Sequence, residues 1–71
     1  MVNKNLLLSK IVSNGYTQSA FAKTVGMSPQ KFSSKVNGRT RFTADEILDT
    51  SKMLALDRDT TWEIFFTNNV D

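Results

Sequence analysis

A chain of 71 residues has room for one domain around one small core, and its lack of cysteine and histidine excludes disulfides, zinc fingers, metallohydrolase sites and catalysis by Ser-His or Cys-His pairs. The net charge of +2 conceals a division: residues 1–42 carry Lys4, Lys10, Lys23, Lys31, Lys35, Arg39 and Arg41 with no acid, a balance of +7, whereas residues 43–71 set Lys52 and Arg58 against seven acids, a balance of −5. The longest apolar run, Met53 to Leu56, falls far short of the ~20 residues of a membrane span, and Leu6-Leu7-Leu8 is too short for the apolar region of a signal peptide, so the expected compartment is the cytoplasm, without a membrane partner.

The first predicted helix runs from about Lys4 to Ser13, with Leu7, Leu8, Ile11 and Val12 at helical spacing as its buried stripe, and Asn14-Gly15 ends it. Tyr16 falls between two helix ends, where its ring suits a core staple better than a ligand contact. Thr17 caps a second helix carrying Phe21, Ala22 and Val25 on one face, which stops at Gly26. Ser28-Pro29 then starts a third helix, with a cap and a proline in the first turn, and Asn37-Gly38 stops it after Phe32 and Val36. Small Ala22 suits the closest approach of two crossing helices, and Gly26 permits a sharp turn. The expectation for residues 17–38 is a helix-turn-helix.

After Gly38 comes a short basic loop, Arg39-Thr40-Arg41-Phe42, whose phenyl ring should fold back on the core and leave both arginines outside. Thr43 opens a fourth helix over about 43–56 with a capping box to Glu46, and its apolar positions are Ile47, Leu48, Met53, Leu54 and Leu56. Asp57-Arg58-Asp59 interrupts the pattern. Thr60-Thr61-Trp62-Glu63 repeats the capping-box form and starts a short fifth helix over about 60–67 that frays at Asn68-Asn69. On that helix Trp62, Phe65 and Phe66 form one face, while Ile64 points elsewhere at ~100° per residue. Asp45, Glu46 and Asp49 resemble an acidic site, but two of them lie in a first turn where acids complement the helix dipole. No phosphate-cradling glycine loop and no nucleophile with a paired base is visible, so no catalysis, cofactor or small-molecule substrate is expected. With no strand alternation of useful length, the fold expected is all-α: residues 1–71 as a single compact five-helix bundle.

Thr17-Gln18, Phe21-Ala22, Gly26-Met27-Ser28, Phe32-Ser33 and Asn37-Gly38 resemble the helix-turn-helix of the Cro and phage-repressor family, also called the xenobiotic-response-element-type family. Phe42-Thr43, Ile47, Leu54-Ala55-Leu56 and Trp62 fall where similar five-helix domains have their fourth and fifth helices, so the resemblance covers roughly residues 5–66. More specifically, the chain is similar to small Cro-like regulators of temperate phages of Gram-positive hosts. It implies a lambda-repressor-like fold and a double-stranded DNA operator as partner, bound as a homodimer because a two-fold axis matches paired half-sites.

On the third helix, Phe32 and Val36 define the inner face, and Gln30, Ser33, Ser34 and Asn37 point away from it towards a groove. Gln30 can pair with adenine N6 and N7, and the serines are short, promiscuous donors and acceptors. Pro29 stands where the family often has a polar base reader and offers only apolar contact, for instance to a thymine methyl. Lys31 and Lys35 share a flank suited to phosphate. The resemblance adds Gln18 as a phosphate ligand that braces the recognition helix, and Asn37, Arg39 and Arg41 as the following loop that grips the backbone. The plainer readings are an exposed first-turn glutamine and solvated serines.

Two functions follow. The first is a sequence-specific, Cro-like transcriptional regulator of a phage lysis/lysogeny switch, working in the bacterial host's cytoplasm. The second is an antirepressor of the same shape that neutralises a partner repressor by direct contact. Four large apolar residues within five positions exceed what a short helix can give its own core, so Ile64, Phe65 and Phe66 are candidates for a protein interface. Against this stands the simpler possibility that the whole helix closes the core.

Overall fold

In a computed structural model, which describes residues 2–66, the chain forms five helices: α1 (Lys4–Ser13), α2 (Gln18–Thr24), α3 (Pro29–Val36), α4 (Ala44–Met53) and α5 (Arg58–Phe65). No strand occurs among the described residues. The fold is all-α and compact, with α1 packed on α2 and α5, α2 on α3, and α4 on α5.

Each helix starts on a short polar side chain that accepts a bond from an otherwise orphan N–H: Asn3 from Leu6, Thr17 from Ala20, Ser28 from Lys31, Thr43 from Glu46 and Asp57 from Thr60. Such a cap contributes ~1 kcal/mol. The capping box of α4 is present in both directions, the Glu46 carboxylate accepting from Thr43 N–H at 2.8 Å. The fifth helix differs from expectation, because Asp57 and not Thr60 caps it and it begins at Arg58. Its expected last residue, Thr67, and the fraying at Asn68-Asn69 lie outside the described residues.

The first four helices stop in one way. The N–H groups of Gly15 and Tyr16 bond back to Val12 and Ile11, those of Gly26 and Met27 to Lys23 and Ala22, those of Gly38 and Arg39 to Lys35 and Ser34, and those of Ala55 and Leu56 to Lys52 and Ser51. This closure needs a left-handed residue just past the helix. Gly26 (φ 78°) takes that conformation without strain, but Ala55 (φ 52°) has a Cβ in it. The fourth helix therefore ends at Met53, short of the expected Leu56, at a stop no glycine announces.

Leu7, Ile11, Phe21, Ala22, Met27, Phe32, Val36, Leu54, Ile64 and Phe65 form the core. Through it runs a chain of edge-to-face rings, Tyr16 to Phe21 (5.2 Å), Phe21 to Phe32 (5.8 Å), Phe32 to Phe42 (5.9 Å) and Phe42 to Phe65 (5.1 Å). Tyr16 thus packs as the staple expected of it, and Phe42 folds back on the core as expected. The apolar stripes are narrower than expected, since Val12, Leu48 and Met53 are exposed. Thr50 occupies the place on α4 that an aliphatic residue would fill, wholly buried, its hydroxyl without a partner among the described residues.

The last helix is turned relative to the sequence reading. Ile64 is fully buried and Phe65 nearly so, whereas Trp62 is 58% exposed and Phe66 53% exposed, their rings stacked at 5.3 Å. Both 61/64/65 and 62/65/66 are valid helical stripes, and polar anchors select the first. The Thr61 hydroxyl reaches Ser51 Oγ at 3.1 Å, and the Ile64 carbonyl accepts the Asn3 N–H at 2.7 Å. Ile64 and Phe65 are therefore core residues, and of the proposed interface residues only Phe66 reaches the surface.

Two outcomes are expected. Ile64→Glu buries an unpaired carboxylate and should cost on the order of 3–5 kcal/mol, enough to unfold a domain of this size in a circular-dichroism melt. Ala55→Gly should raise the melting temperature, because relief of a left-handed alanine (~1–2 kcal/mol) exceeds the added freedom of the unfolded chain (~0.5–1 kcal/mol).

Candidate nucleic-acid interface

Gln18 and Ser19 open α2, Pro29 and Gln30 open α3, and the turn at 25–28 folds the two starts towards each other. With Ser33, Ser34 and Arg39 they line one open hollow of about 510 Å³. Pro29, Gln30, Ser33 and Ser34, the four expected base readers, thus lie together with the expected phosphate ligands Gln18 and Arg39. Sequence reasoning missed Ser19, although a hydroxyl one residue after Gln18 in a first turn was a usable signal. Ser28 accepts from Lys31 N–H at 3.1 Å, and neither α2 nor α3 carries an acid in its first turn. Nothing there offsets the positive helix ends.

Beyond the last turn of α3, Arg39 is directed by the left-handed Gly38, and its N–H bonds the Ser34 carbonyl at 2.9 Å. Asn37 donates from Nδ2 to the Ser33 carbonyl (2.9 Å) and Ser33 Oγ (3.3 Å), and its Oδ1 accepts from Lys4 Nζ at 2.8 Å. Asn37 therefore remains against the same face. Arg41 does not. It lines a separate hollow of about 520 Å³ with Val2, Phe42, Ile47, Phe65 and Phe66 among its walls.

Lys35 corrects the sequence reading. It is buried, donating from Nζ to the Arg41 carbonyl at 2.9 Å and to Glu46 Oε1 at 2.6 Å, and so is withdrawn from any phosphate. Lys31 and Lys35 do share a flank, but that flank faces α4. Lys31 stays exposed, with Nζ 3.8 Å from Glu46 Oε2. Glu46 is thus the common partner of the α4 cap and of both lysines, and the loop 37–43 is fastened across it.

Burial by itself would raise the Glu46 pKa, but the bond from Lys35, the Thr43 N–H and the charges of Lys35 and Lys31 together bring it below its ordinary 4.5. At the exposed Asp57, the Thr60 N–H and hydroxyl, and more remotely Lys10, lower the carboxyl against a small opposing effect of burial. No group of three acidic, histidine or cysteine side chains among the described residues is arranged to hold a metal.

A folded-state pKa below the unfolded one means that the Glu46 contribution to stability is complete above the ordinary 4.5 and disappears as pH falls through the lowered value. Lys35→Ala should therefore lower the melting temperature near neutrality and flatten its acid limb. Parallel melts from neutral to acid pH test this; superimposable pH profiles of parent and variant would contradict it.

No curated protein and no solved structure matches the chain significantly. One family does match it, over residues 3–68, and on that match the chain belongs to the family described as Protein of unknown function (DUF739).

Proposed function

We propose that this chain is a sequence-specific DNA-binding protein of the helix-turn-helix kind, a Cro-like transcriptional regulator of a phage switch, acting in the host cytoplasm and having no catalytic role. The observation that carries the reading is the convergence of Gln18, Pro29, Gln30, Ser33, Ser34 and Arg39 on one hollow, on the acid-free half of the chain. An exposed amide and two hydroxyls on an α3 face free of acids suit base edges in a major groove, and Arg39 suits the neighbouring phosphate. The resemblance of residues 17–38 to the Cro and phage-repressor family supports the same assignment, with a homodimer on a two-fold operator as the expected complex.

A second reading, the antirepressor, is favoured by one specific observation. Trp62 and Phe66 are stacked and exposed on α5, and Phe66 also walls the hollow containing Arg41, so an aromatic surface runs into a pocket with a cationic rim. Such a surface suits a protein partner.

A gel shift on the DNA flanking its own gene, with and without the neighbouring regulator, separates the two. Binding by the chain alone is the result expected of the Cro-like reading. A shift that changes only when the neighbour is present supports the antirepressor. If the first holds, Gln30→Ala should cost ~1–3 kcal/mol at one base pair and nothing on sequences altered there, measured by competition with single-substituted duplexes.

A further inference from the structure

We infer that Lys4, at the start of α1, is an additional phosphate ligand of the nucleic-acid face, positioned there by Asn37. The inference rests on the DNA-binding reading and extends its surface to a helix outside the two-helix motif. Lys4 and Asn37 are 33 residues apart, yet Nζ lies 2.8 Å from Asn37 Oδ1. The amide of Asn37 is itself fixed, since its other end donates to Ser33 Oγ and the Ser33 carbonyl, and Ser33 borders the hollow with Gln30 and Arg39. The backbone beneath Lys4 is anchored too, with the Asn3 N–H on the Ile64 carbonyl at 2.7 Å and the Asn3 side chain capping α1.

What distinguishes Lys4 from Lys31 and Lys35 is the nature of its partner. Glu46 compensates Lys35 and draws on Lys31, whereas Lys4 is exposed and is bonded to a neutral amide. A neutral acceptor fixes the ammonium in place without cancelling its charge, and two of its three protons stay available. A cation that is oriented but not neutralised loses little freedom on meeting a phosphate, and it releases a counterion from the DNA.

The test is titration of a fluorescent duplex containing the DNA flanking the gene, and of a scrambled duplex of equal length, at several salt concentrations. Lys4→Gln should reduce the slope of log affinity against log salt by ~0.9 and weaken both duplexes about equally, with an unaltered melting temperature. Lys4→Arg should restore the slope. In a cycle with Asn37→Ala, the two losses should be less than additive, because Asn37 acts through Lys4. A parent that binds neither duplex overturns the DNA reading and this inference with it. A parent that binds, with its slope unchanged in Lys4→Gln, overturns the inference alone. A purely structural Lys4 would move the melting temperature and leave the slope in place, and strictly additive losses would remove Asn37 as its positioning residue.

Discussion

The structure depends most on the run of edge-to-face rings from Tyr16 through Phe21, Phe32 and Phe42 to Phe65. Its members come from the α1–α2 connection, α2, α3, the α3–α4 loop and α5, so one continuous contact sets the spacing of almost every segment. Aromatic pairs of this geometry contribute ~0.5–1.5 kcal/mol each beyond the area they bury, a large share for a core this small. They are also directional. A quadrupole prefers edge to face, so each ring constrains the tilt of the next, and the angle between α2 and α3 is held by Phe21 and Phe32 rather than by the short turn alone. The fourth helix stands outside this run. It is attached through Leu54, the partly buried Ile47, the Thr61–Ser51 hydroxyl bond and the polar fastening at Glu46.

That fastening divides the basic residues by task. Lys35 is spent inside the fold, where its ammonium joins a loop carbonyl to a carboxylate, and Lys31 lies within reach of the same acid. The side chains of Gln30, Ser33 and Ser34 on α3 are neutral, with cationic groups at their margins in Lys31, Arg39 and Lys4. On the DNA-binding proposal, such a surface would be selective before it is adhesive. Amides and hydroxyls discriminate between bases, whereas a lysine-covered helix would hold any phosphate backbone.

The starts of the first four helices were legible in the sequence almost to the residue, because caps and the proline of α3 act locally; the fifth was placed too late, since Asp57 takes the capping role expected of Thr60. Three of the stops were legible for the same reason, each marked by a glycine. The stop at Ala55 was not, since alanine carries no sign of the left-handed conformation that the surrounding fold imposes on it. The face of α5 was misread because size was taken as the guide to burial, while the hydrogen bonds of Thr61 and the Ile64 carbonyl decided the register. At the candidate interface, the grouping of Gln30, Ser33 and Ser34 could be anticipated from the helical wheel, and that of Arg39 from the family resemblance. Lys35 could not. Its position on the wheel is right, but only the arrival of Glu46 from α4, a long-range event, turns a surface lysine into a buried one.

The orientation of Trp62 gives the molecule a built-in optical divide. It is the chain's single tryptophan, and it lies outside the core, stacked on Phe66, while the chain's one tyrosine, Tyr16, sits at the far end of the ring sequence. Indole emission is therefore sensitive to whatever comes to rest on α5 and comparatively insensitive to loosening of the interior. The phenol, packed against Phe21, senses that interior instead. The chain's two ultraviolet chromophores thus occupy different surroundings, one on its outer surface and one against its centre.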